Sequence, residues 1–385
     1  MILVFTFALT GTLAVFLLYP LILLLTPGAR PDNGRAPSPL PSLSLIVVHR
    51  EAGPLLPEKI ADCLRLHYPA GQLEIIFFAD GPCSYPVGLP AAAGSGVRLL
   101  LTGSDEILGK NEALNRAAAL ATNEILVLSD VDAVLDPEAL VQLSGHFADT
   151  GIGGVCGRRH IRDDDRTGLH HGQEGYIGLD SLLKRLESRQ GFLTSNDGKI
   201  YAVRRRLFPH LPDGVTDDLF VCLAVIAAGS LFRFDPRVTA YIRSPSRSVA
   251  HEWRRRRRIV CCSLRGISLQ RHLCNPRRYG LFAIGLLINK VLRRLLLPLL
   301  VLLLFCSNRL APSHPFFLVA YLGQMTFYCF ALLYPLSIPP LTLPRFLNKG
   351  AQWSCYFLVG NLASFAGVVD FLRGRKVTGW RPEKR

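Results

Sequence analysis

Long apolar runs near both ends of the sequence limit most strongly what the chain can fold into. The first run, Ile2–Leu25, contains no charged residue. About 20 consecutive apolar residues are enough for a helix to cross the hydrocarbon core of a bilayer. The run lacks the basic n-region and the small-residue cleavage site that are typical of a signal peptide. Residues 1–26 are therefore expected to form a retained transmembrane anchor.

The C-terminal part of the sequence is apolar again, and residues 293–372 are expected to form a membrane region of two or three segments. The candidate segments are 295–306, 316–336 and 353–369. Residues 246–292, which precede them, combine a basic run with an apolar stretch that Asn289 and Lys290 interrupt. This pattern is typical of helices that lie in the membrane interface.

The distribution of basic residues predicts which side of the membrane the middle of the chain faces. Arg30, Arg35 and Arg50 follow the first apolar run, and positive charge favours the cytoplasmic side. We therefore expect a multi-pass protein of the inner or plasma membrane with its soluble part in the cytoplasm. The basic tail, 373–385, lies on the cytoplasmic side, as its charge favours, if two C-terminal segments cross the membrane. It lies on the opposite side if three segments cross.

The middle of the chain has the pattern of an α/β domain. A Pro-rich linker at 27–41 leads into residues 42–245, where short β-rich runs alternate with helical stretches. Such alternation favours a mostly parallel sheet with helices on both faces. The expected strands are 43–48, 74–79, 97–101 and 124–129, and the expected helices are 55–66 and 111–121.

Composition excludes several classes of protein. Hydrophobic residues make up 49% of the chain and charged residues 19%, which excludes a disordered chain. The ten cysteines form no C-x-x-C motif, so a zinc ribbon or redox dithiol has no support, and we expect reduced thiols. The net charge of +15 suits an anionic bilayer surface or a phosphorylated substrate. Nucleic acid is a poor third partner, because the main basic run directly precedes apolar segments.

Acidic residues follow the ends of several expected strands, where ligands bind in open α/β sheets. Asp80 precedes Gly81, and this pair alone is more simply a turn. Asp130 and Asp132 follow a buried strand, and paired carboxylates suit Mg²⁺ or Mn²⁺ beside substrate phosphates. Asp218 follows Asp217 at the start of an expected helix, 217–228, where an acid either caps the helix or serves as a general base.

Two basic motifs could bind phosphate. Lys110 and Asn111 follow Gly109 at an expected helix start, a place that suits phosphate, although a capped surface helix is the simpler interpretation. Five consecutive arginines, 254–258, could hold anionic lipid at the membrane surface. The same arginines could instead bind a diphosphate leaving group.

Taken in order, these motifs resemble the membrane-bound family 2 glycosyltransferases, the group that contains poly-N-acetylglucosamine and cellulose synthases. The similarity covers about residues 42–267. The motifs that carry it are Val47-Val48-His49-Arg50-Glu51, Tyr68-Pro69, Glu74-Ile75-Ile76 with Asp80-Gly81, Gly109-Lys110-Asn111 with Ala113-Leu114-Asn115, Asp130-Val131-Asp132, Glu187-Ser188, Gly198 with Tyr201-Ala202-Val203-Arg204-Arg205, Thr216-Asp217-Asp218, Gly229, Phe234-Asp235-Pro236 and Arg255 to Ile259.

The resemblance implies a GT-A fold, a nucleotide-sugar donor and an inverting transfer. It places Asp80 at the uracil side of the nucleotide with Lys110 near it, Asp130 at the nucleotide sugar, Asp132 at a divalent cation and Asp218 as the general base. The further residues that it implicates are Asp217 in catalysis, Glu51, Asn111, Arg255 and Arg258 in donor binding, and Tyr176, Asp180, Asn196, Asp197 and Trp253 in the donor-sugar and acceptor pocket.

The sequence departs from the pattern of that group in three places. Asp80-Gly81 is followed by Pro82-Cys83 instead of Ser-x-Asp. The Q-x-x-R-W motif of processive synthases is replaced by a Trp253-containing run of arginines, closer to an R-K-x-R-I variant, and Asp180 stands where many relatives have Glu. A processive polymerase is therefore doubtful.

The expected function is transfer from a UDP-hexose or UDP-N-acetylhexosamine to a membrane-associated glycan or lipid, with Mg²⁺ or Mn²⁺, in cell-envelope or exopolysaccharide synthesis. Polysaccharide-export proteins are expected as partners. Two alternatives stay open at this stage. One is transfer to a polyprenyl phosphate or another lipid, and the other is an inactive membrane scaffold of a polysaccharide complex.

Overall fold

The computed structural model describes residues 1–28, 39–51, 53–83, 85, 96–162, 170–242, 248–336 and 345–375. Most of the expected linker, with Arg30 and Arg35, and most of the expected basic tail lie outside these residues.

A single sheet forms the centre of the soluble part. Its strands, in chain order, are β1 Leu43–His49, β2 Leu73–Asp80, β3 Arg98–Ser104, β4 Ile125–Leu128, β5 Ala133–Leu135, β6 Ile152–Ile161, β7 Tyr201–Arg204 and β8 Leu231–Ile242. They lie side by side in the order β3-β2-β1-β4-β7-β6-β8-β5.

The sheet is parallel on one side and mixed on the other. β1 pairs in parallel with β2 and β4, and β2 pairs in parallel with β3. β7 runs antiparallel to both β4 and β6, and β5 runs antiparallel to β8. The expectation of a mostly parallel sheet therefore holds for β1 to β4, whose carboxyl ends share one edge.

Helices cover both faces of this sheet and extend beyond it. They are α1 Ile2–Leu13, α2 Tyr19–Leu25, α3 Leu55–Leu64, α4 Lys110–Leu120, α5 Ala139–Gly145, α6 His170–Arg189, α7 Asp217–Ala227, α8 Val249–Leu269, α9 Pro276–Gly285, α10 Leu296–Leu310, α11 Pro315–Leu336 and α12 Arg345–Leu372. The strands and helices expected from the sequence are found, with every end within three residues of its expected position.

Two hydrophobic cores, one on each face, hold the sheet between its helices. Leu45 and Val47 of β1 belong to the core that includes Ile60 of α3. Ile46 and Val48 alternate with them and belong to the core that includes Leu114 of α4. Alternate side chains of a strand point to opposite faces, so a continuous apolar run is what a strand covered on both faces requires. The α/β fold expected from the sequence is confirmed.

Four helical segments are long and apolar enough to cross a membrane, as judged by length and composition within the described residues. They are Ile2–Leu25, Pro276–Leu310, Pro315–Leu332 and Leu347–Leu372. Several of their large apolar side chains are exposed, including Leu3 and Val319, which suits contact with lipid. These segments are consistent with a membrane protein. The second begins at Pro276, so part of the region expected to be interfacial continues a potential span.

The N-terminal helix is joined to the soluble domain by a buried hydrogen bond. The Tyr19 hydroxyl at the start of α2 donates to Glu187 Oε1 of α6 at 2.7 Å. Glu187 also accepts from the backbone and the hydroxyl of Thr194. Burial raises the pKa of Glu187, which favours its neutral form in this apolar setting. The contact therefore fixes α6, and the domain that carries it, against the first potential span.

Replacement of this tyrosine should loosen the junction. Tyr19→Phe leaves buried Glu187 without one donor, which costs about 1–3 kcal/mol, so the purified protein in detergent should unfold at a lower temperature. The control is Tyr321→Phe on α11, which removes a hydroxyl that has no hydrogen bond among the residues that the structure describes. Equal unfolding temperatures for the two variants would contradict this account of the junction.

Candidate active site

Asp80 is the first acid of the site, at the carboxyl end of β2. Its buried carboxylate accepts hydrogen bonds from the backbone N–H groups of Leu108 at 2.6 Å and Gly109 at 3.1 Å. Its other oxygen forms an ion pair with Arg50, which follows β1. Gly109 has φ +93°, a left-handed conformation that glycine adopts without strain. Asp80 thereby fixes the start of α4 and the position of Lys110.

Lys110 joins two acids from different parts of the chain. Its Nζ lies 3.1 Å from Asp130 Oδ1, just after β4, and 3.1 Å from Asp217 Oδ1, at the start of α7. Burial alone would lower the pKa of Lys110, but Asp130 and Asp217 outweigh it and hold this pKa above its usual range. Lys110 is therefore a fixed positive charge between the carboxylate that follows β4 and the carboxylate at the start of α7.

Lys199 makes a second bridge, which the sequence interpretation missed. Its Nζ lies 3.0 Å from Asp130 Oδ2 and 2.7 Å from Asp132 Oδ1. Burial would raise the pKa of Asp130, but Lys110 and Lys199 outweigh this effect and hold that pKa below its usual range. The only sequence signal was the position of Lys199 after Gly198, in the loop already expected to line the pocket.

Asp218 lies beside this cluster. Asp218 Oδ1 accepts a hydrogen bond from Leu219 N–H at 2.7 Å, and its backbone oxygen accepts one from Asn196 Nδ2 at 3.0 Å. A Cβ added to Gly198 would lie 3.5 Å from Asp218 Oδ2, so the loop passes close to this carboxylate. Burial, together with the negative charge of Asp217, raises the pKa of Asp218 to about 6. This value suits a proton acceptor near neutral pH.

Lys110, Asp130 and Asp217 line a narrow crevice at the carboxyl end of the parallel strands. Its walls are formed by Val48, Lys110, Leu114, Leu128, Ser129, Asp130, Gly198 and Asp217. The free volume is about 10 Å³, no more than one water needs. A nucleotide could enter only if the lysine–carboxylate pairs separate, so its phosphates would have to replace the carboxylates as partners of these lysines.

The carboxylates fit a divalent cation only if a substrate completes its coordination. Asp130 and Asp132 offer hard oxygen ligands two residues apart. No group of three or more His, Cys, Asp or Glu side chains suitable for a metal occurs among the described residues. Mg²⁺ binds through one or two carboxylates, water and substrate phosphates. The donor set therefore suits a cation that arrives with a diphosphate, in competition with Lys199.

A second ionic network, which includes Asp197, interacts with Asp218. Lys184 of α6 lies 2.7 Å from Asp180 and 3.6 Å from Asp197. Arg159 of β6 lies 3.6 Å from Asp197. Burial would raise the pKa of Asp180, but Lys184 and Arg159 outweigh it and hold this pKa below its usual range. Asp180 and Asp197, expected in the pocket, thus belong to one network beside the cluster.

Tyr176, one turn before Asp180 on α6, is packed between cations. Arg256 of α8 lies over its ring with 4.8 Å to the centroid, and Arg293 lies over it with 5.3 Å. Arg256 also stacks on Tyr356 of α12 at 4.8 Å. Tyr176 therefore lies where the soluble domain meets the C-terminal helices.

Asn111 positions the approach to α7. Its Nδ2 donates to the backbone oxygens of Pro212 at 2.8 Å and Val215 at 3.1 Å. One turn later on α4, Asn115 exchanges hydrogen bonds with the backbone of Leu211. In the structure, the amide of Asn111 therefore holds the segment that leads to Asp217 and Asp218. Its expected role in donor binding stays a prediction.

The remaining expected residues lie farther from the cluster or are more exposed. Glu51 follows β1 with φ +48°. On α8, Arg255 pairs with Glu252, Arg258 is exposed, and Trp253 is half-buried. Among the described residues, neither arginine forms an ion pair with an acid of the crevice. Their expected donor-binding roles stay predictions.

A larger cavity lies apart from the crevice. It has a volume of about 540 Å³ and lies between β6, α6 and β8. Its walls are formed by Arg158, Arg159, His160, Ile161, Arg162, Glu174, Ile177 and Tyr241. Arg159 connects this cavity to the network of Asp197.

Comparison with known proteins agrees with this geometry. Residues 44–211 match the model of glycosyl transferase family 2. The matched range contains Asp80, Asp130 and Asp132 and ends before Asp217 and Asp218. The search for relatives among curated proteins found no match.

Two solved structures are similar to the chain. A mannosyltransferase from Pyrobaculum calidifontis, in complex with GDP-Man and Mn²⁺, is 21% identical, with a TM-score of 0.65 over 97% of this chain and 99% of that one. S. aureus TarS is 14% identical, with a TM-score of 0.39 over 57% of this chain and 39% of that one.

The first of these structures shows that the fold is of the GT-A type. Residues 44–211, which are less than half of the chain, match the glycosyl transferase family 2 model, and this match supports glycosyltransferase activity. The narrower assignment to the group of poly-N-acetylglucosamine and cellulose synthases stays a prediction.

The anchoring of α4 by Asp80 can be tested through stability. Asp80→Asn breaks a buried ion pair with Arg50, and loss of one partner of such a pair costs roughly 3 kcal/mol. We expect a clearly lower unfolding temperature in detergent, while Asp105→Asn, at an exposed position nearby, should leave it unchanged. If both variants unfold at the same temperature as the unaltered protein, Asp80 does not anchor α4.

Proposed function

We propose that the chain is an inverting glycosyltransferase that moves a sugar from a nucleotide-sugar to a membrane-associated glycan or lipid. The observation that carries this proposal is the convergence of Asp130, Asp132 and Asp217 on two lysines, with Asp218 beside them. The acids come from two separate elements, and the crevice lies at the edge of the sheet where ligands of α/β folds bind.

The cations of the crevice suit a diphosphate. Lys110 and Lys199 are held in place by carboxylates that a nucleotide's phosphates could replace. Asp80, fixed by Arg50, stands at the start of α4 on the nucleoside side. A divalent cation held by Asp132 and Asp130 would neutralise the charge that develops on the leaving diphosphate.

Asp218 is the group we assign to proton transfer. A hydroxyl oxygen of the acceptor attacks the anomeric carbon, and the bond from that carbon to the diphosphate oxygen breaks. The acceptor's hydroxyl proton passes to the Asp218 carboxylate, and the nucleoside diphosphate leaves with the electron pair of the broken bond. Attack from the face opposite the leaving group inverts the anomeric centre.

The donor and the setting complete the proposal. The sequence resemblance favours a UDP-hexose or UDP-N-acetylhexosamine, whereas the similar archaeal structure contains GDP-Man, so both nucleotides belong in a donor screen. Four potential spans support a membrane-bound acceptor, with the site at the cytoplasmic face. A role in cell-envelope or exopolysaccharide synthesis follows from that acceptor class.

Purified full-length protein in detergent provides the test. We expect release of nucleoside diphosphate from one of several UDP-, GDP- and dTDP-sugars, dependent on Mn²⁺ or Mg²⁺. Asp132→Asn and Asp218→Asn should each lower the rate at least about 100-fold, the scale of a lost acid–base group, with unfolding temperatures kept. Asp105→Asn serves as the control. Full activity of both site variants, or no release from any donor, would refute the proposal.

The pH dependence tests the assignment of the base separately. Asp218 accepts a proton only when ionised, so kcat/KM should fall about tenfold per pH unit below a midpoint near 6. Because Asp217 raises the pKa of Asp218, Asp217→Asn should move this midpoint to lower pH whatever its effect on the maximal rate. Glu112→Gln, a charge change on α4 away from Asp218, should leave the midpoint in place. An unmoved midpoint in Asp217→Asn would exclude Asp218 as the group observed.

A further inference from the structure

A cluster of basic side chains lies in the second potential span, where that span meets the soluble domain. Lys290, Arg293 and Arg294 belong to the segment Pro276–Leu310. Ionisable residues inside apolar membrane segments are costly, and they mark sites of function. We call these three residues the span cluster.

The span cluster has no acid paired with it among the described residues. Arg293 Nη1 donates to Asn289 Oδ1 at 3.1 Å and stacks on Tyr176. Arg294 is buried, with Nη2 donating to Ser263 at 2.5 Å. Its Nη1 is also buried and has no hydrogen-bond partner in the described part of the chain. Lys290 lies within electrostatic range of Asp180, whose carboxylate is already hydrogen-bonded to Lys184.

The cations of the crevice are arranged differently. Lys110 and Lys199 are each bound by two carboxylates. The span cluster instead adds to Arg159, Lys184 and Arg256 around Tyr176. The acids that interact with these cations include Asp180, Glu187, Asp197 and Glu252. Because unpaired buried charges are strongly destabilising, buried cations without an acid partner favour the binding of an anion.

These cations also affect Tyr176. Burial alone would raise the pKa of this phenol, but Arg293 and Arg256 outweigh it, and the pKa is lowered. An anion near Tyr176 would therefore meet an environment that already favours negative charge.

The span cluster is connected to the proposed base through a short set of contacts. Asn289, one residue before Lys290, donates to the Thr194 hydroxyl at 2.7 Å. Two residues later in the same loop, Asn196 donates to the backbone oxygen of Asp218 at 3.0 Å. These contacts connect the span cluster to the loop that holds Asp218.

From this arrangement we infer that Lys290, Arg293 and Arg294 bind the phosphate or diphosphate of a membrane lipid that carries the acceptor. Such a headgroup supplies a negative partner for these cations, and its chain extends into lipid beside the second potential span. Basic pockets between membrane helices bind anionic headgroups in this way. The inference rests on the proposed function for its acceptor role, and the binding itself does not depend on the donor.

The experiment measures lipid binding by native mass spectrometry of the full chain in detergent, without donor. The probes are geranylgeranyl diphosphate, geranylgeraniol, inorganic pyrophosphate and phosphatidylglycerol. We expect tight binding of geranylgeranyl diphosphate alone. Its Kd should rise at least tenfold in Lys290→Gln/Arg293→Gln and return towards the original value when Lys290→Arg replaces Lys290→Gln. Arg309→Gln, an exposed arginine of the same segment, is the matched control and should bind normally.

Several results would overturn the inference. They are equal Kd values for the double variant and the unaltered protein, equal binding of geranylgeraniol, and binding of pyrophosphate or phosphatidylglycerol as tight as that of the diphosphate lipid. Nucleotide release from the donor, measured on the same proteins, separates this failure from that of the proposed function. Nucleotide release without lipid binding would refute only the lipid site. Lipid binding without nucleotide release from any donor would refute the proposed function.

Discussion

Two lysine ammonium groups hold the site together. Lys110 and Lys199 both contact Asp130, and each adds a second acid from another element, Asp217 or Asp132. The negative charges of these carboxylates repel each other, and the two lysine cations between them offset this repulsion. The strand ends, the loop before β7 and the start of α7 therefore keep their arrangement through these pairs. In the proposed function, the diphosphate of the donor would replace the carboxylates as the partner of these two cations.

Much of this arrangement follows from the sequence, because parallel strands end at a common edge. Asp80 and Asp130 stand at the ends of two expected parallel strands, so their position at one edge of the sheet was predictable. The contacts of Lys199 were not predictable, because its partners lie nearly 70 residues away and the antiparallel course of β7 leaves no local signal. The hydrogen bonds of Asn111 were not predictable either, because they join α4 to a segment about 100 residues later.

The membrane segments also include features that the sequence predicted and features that it did not. Hydropathy predicted the first, third and fourth potential spans, since length and composition determine them. The continuity of residues 276–310 was hidden by the polar residues Asn289 and Lys290, which looked like an interruption and instead lie where the segment meets the domain. The hydrogen bond from Tyr19 to Glu187 joins positions 168 residues apart and had no signal in either sequence region. The sequence alone therefore predicted the types of secondary structure, but it did not predict the contacts between remote segments.

The most direct measurement of the central claim is a cryo-EM structure of the full chain with Mn²⁺ and a donor analogue that cannot transfer its sugar. The account predicts that the diphosphate contacts Lys110 and Lys199, that the cation is coordinated by Asp132, and that the anomeric carbon faces Asp218. A donor bound in the arginine-lined cavity between β6, α6 and β8, with the lysine–carboxylate pairs of the crevice intact, would contradict it.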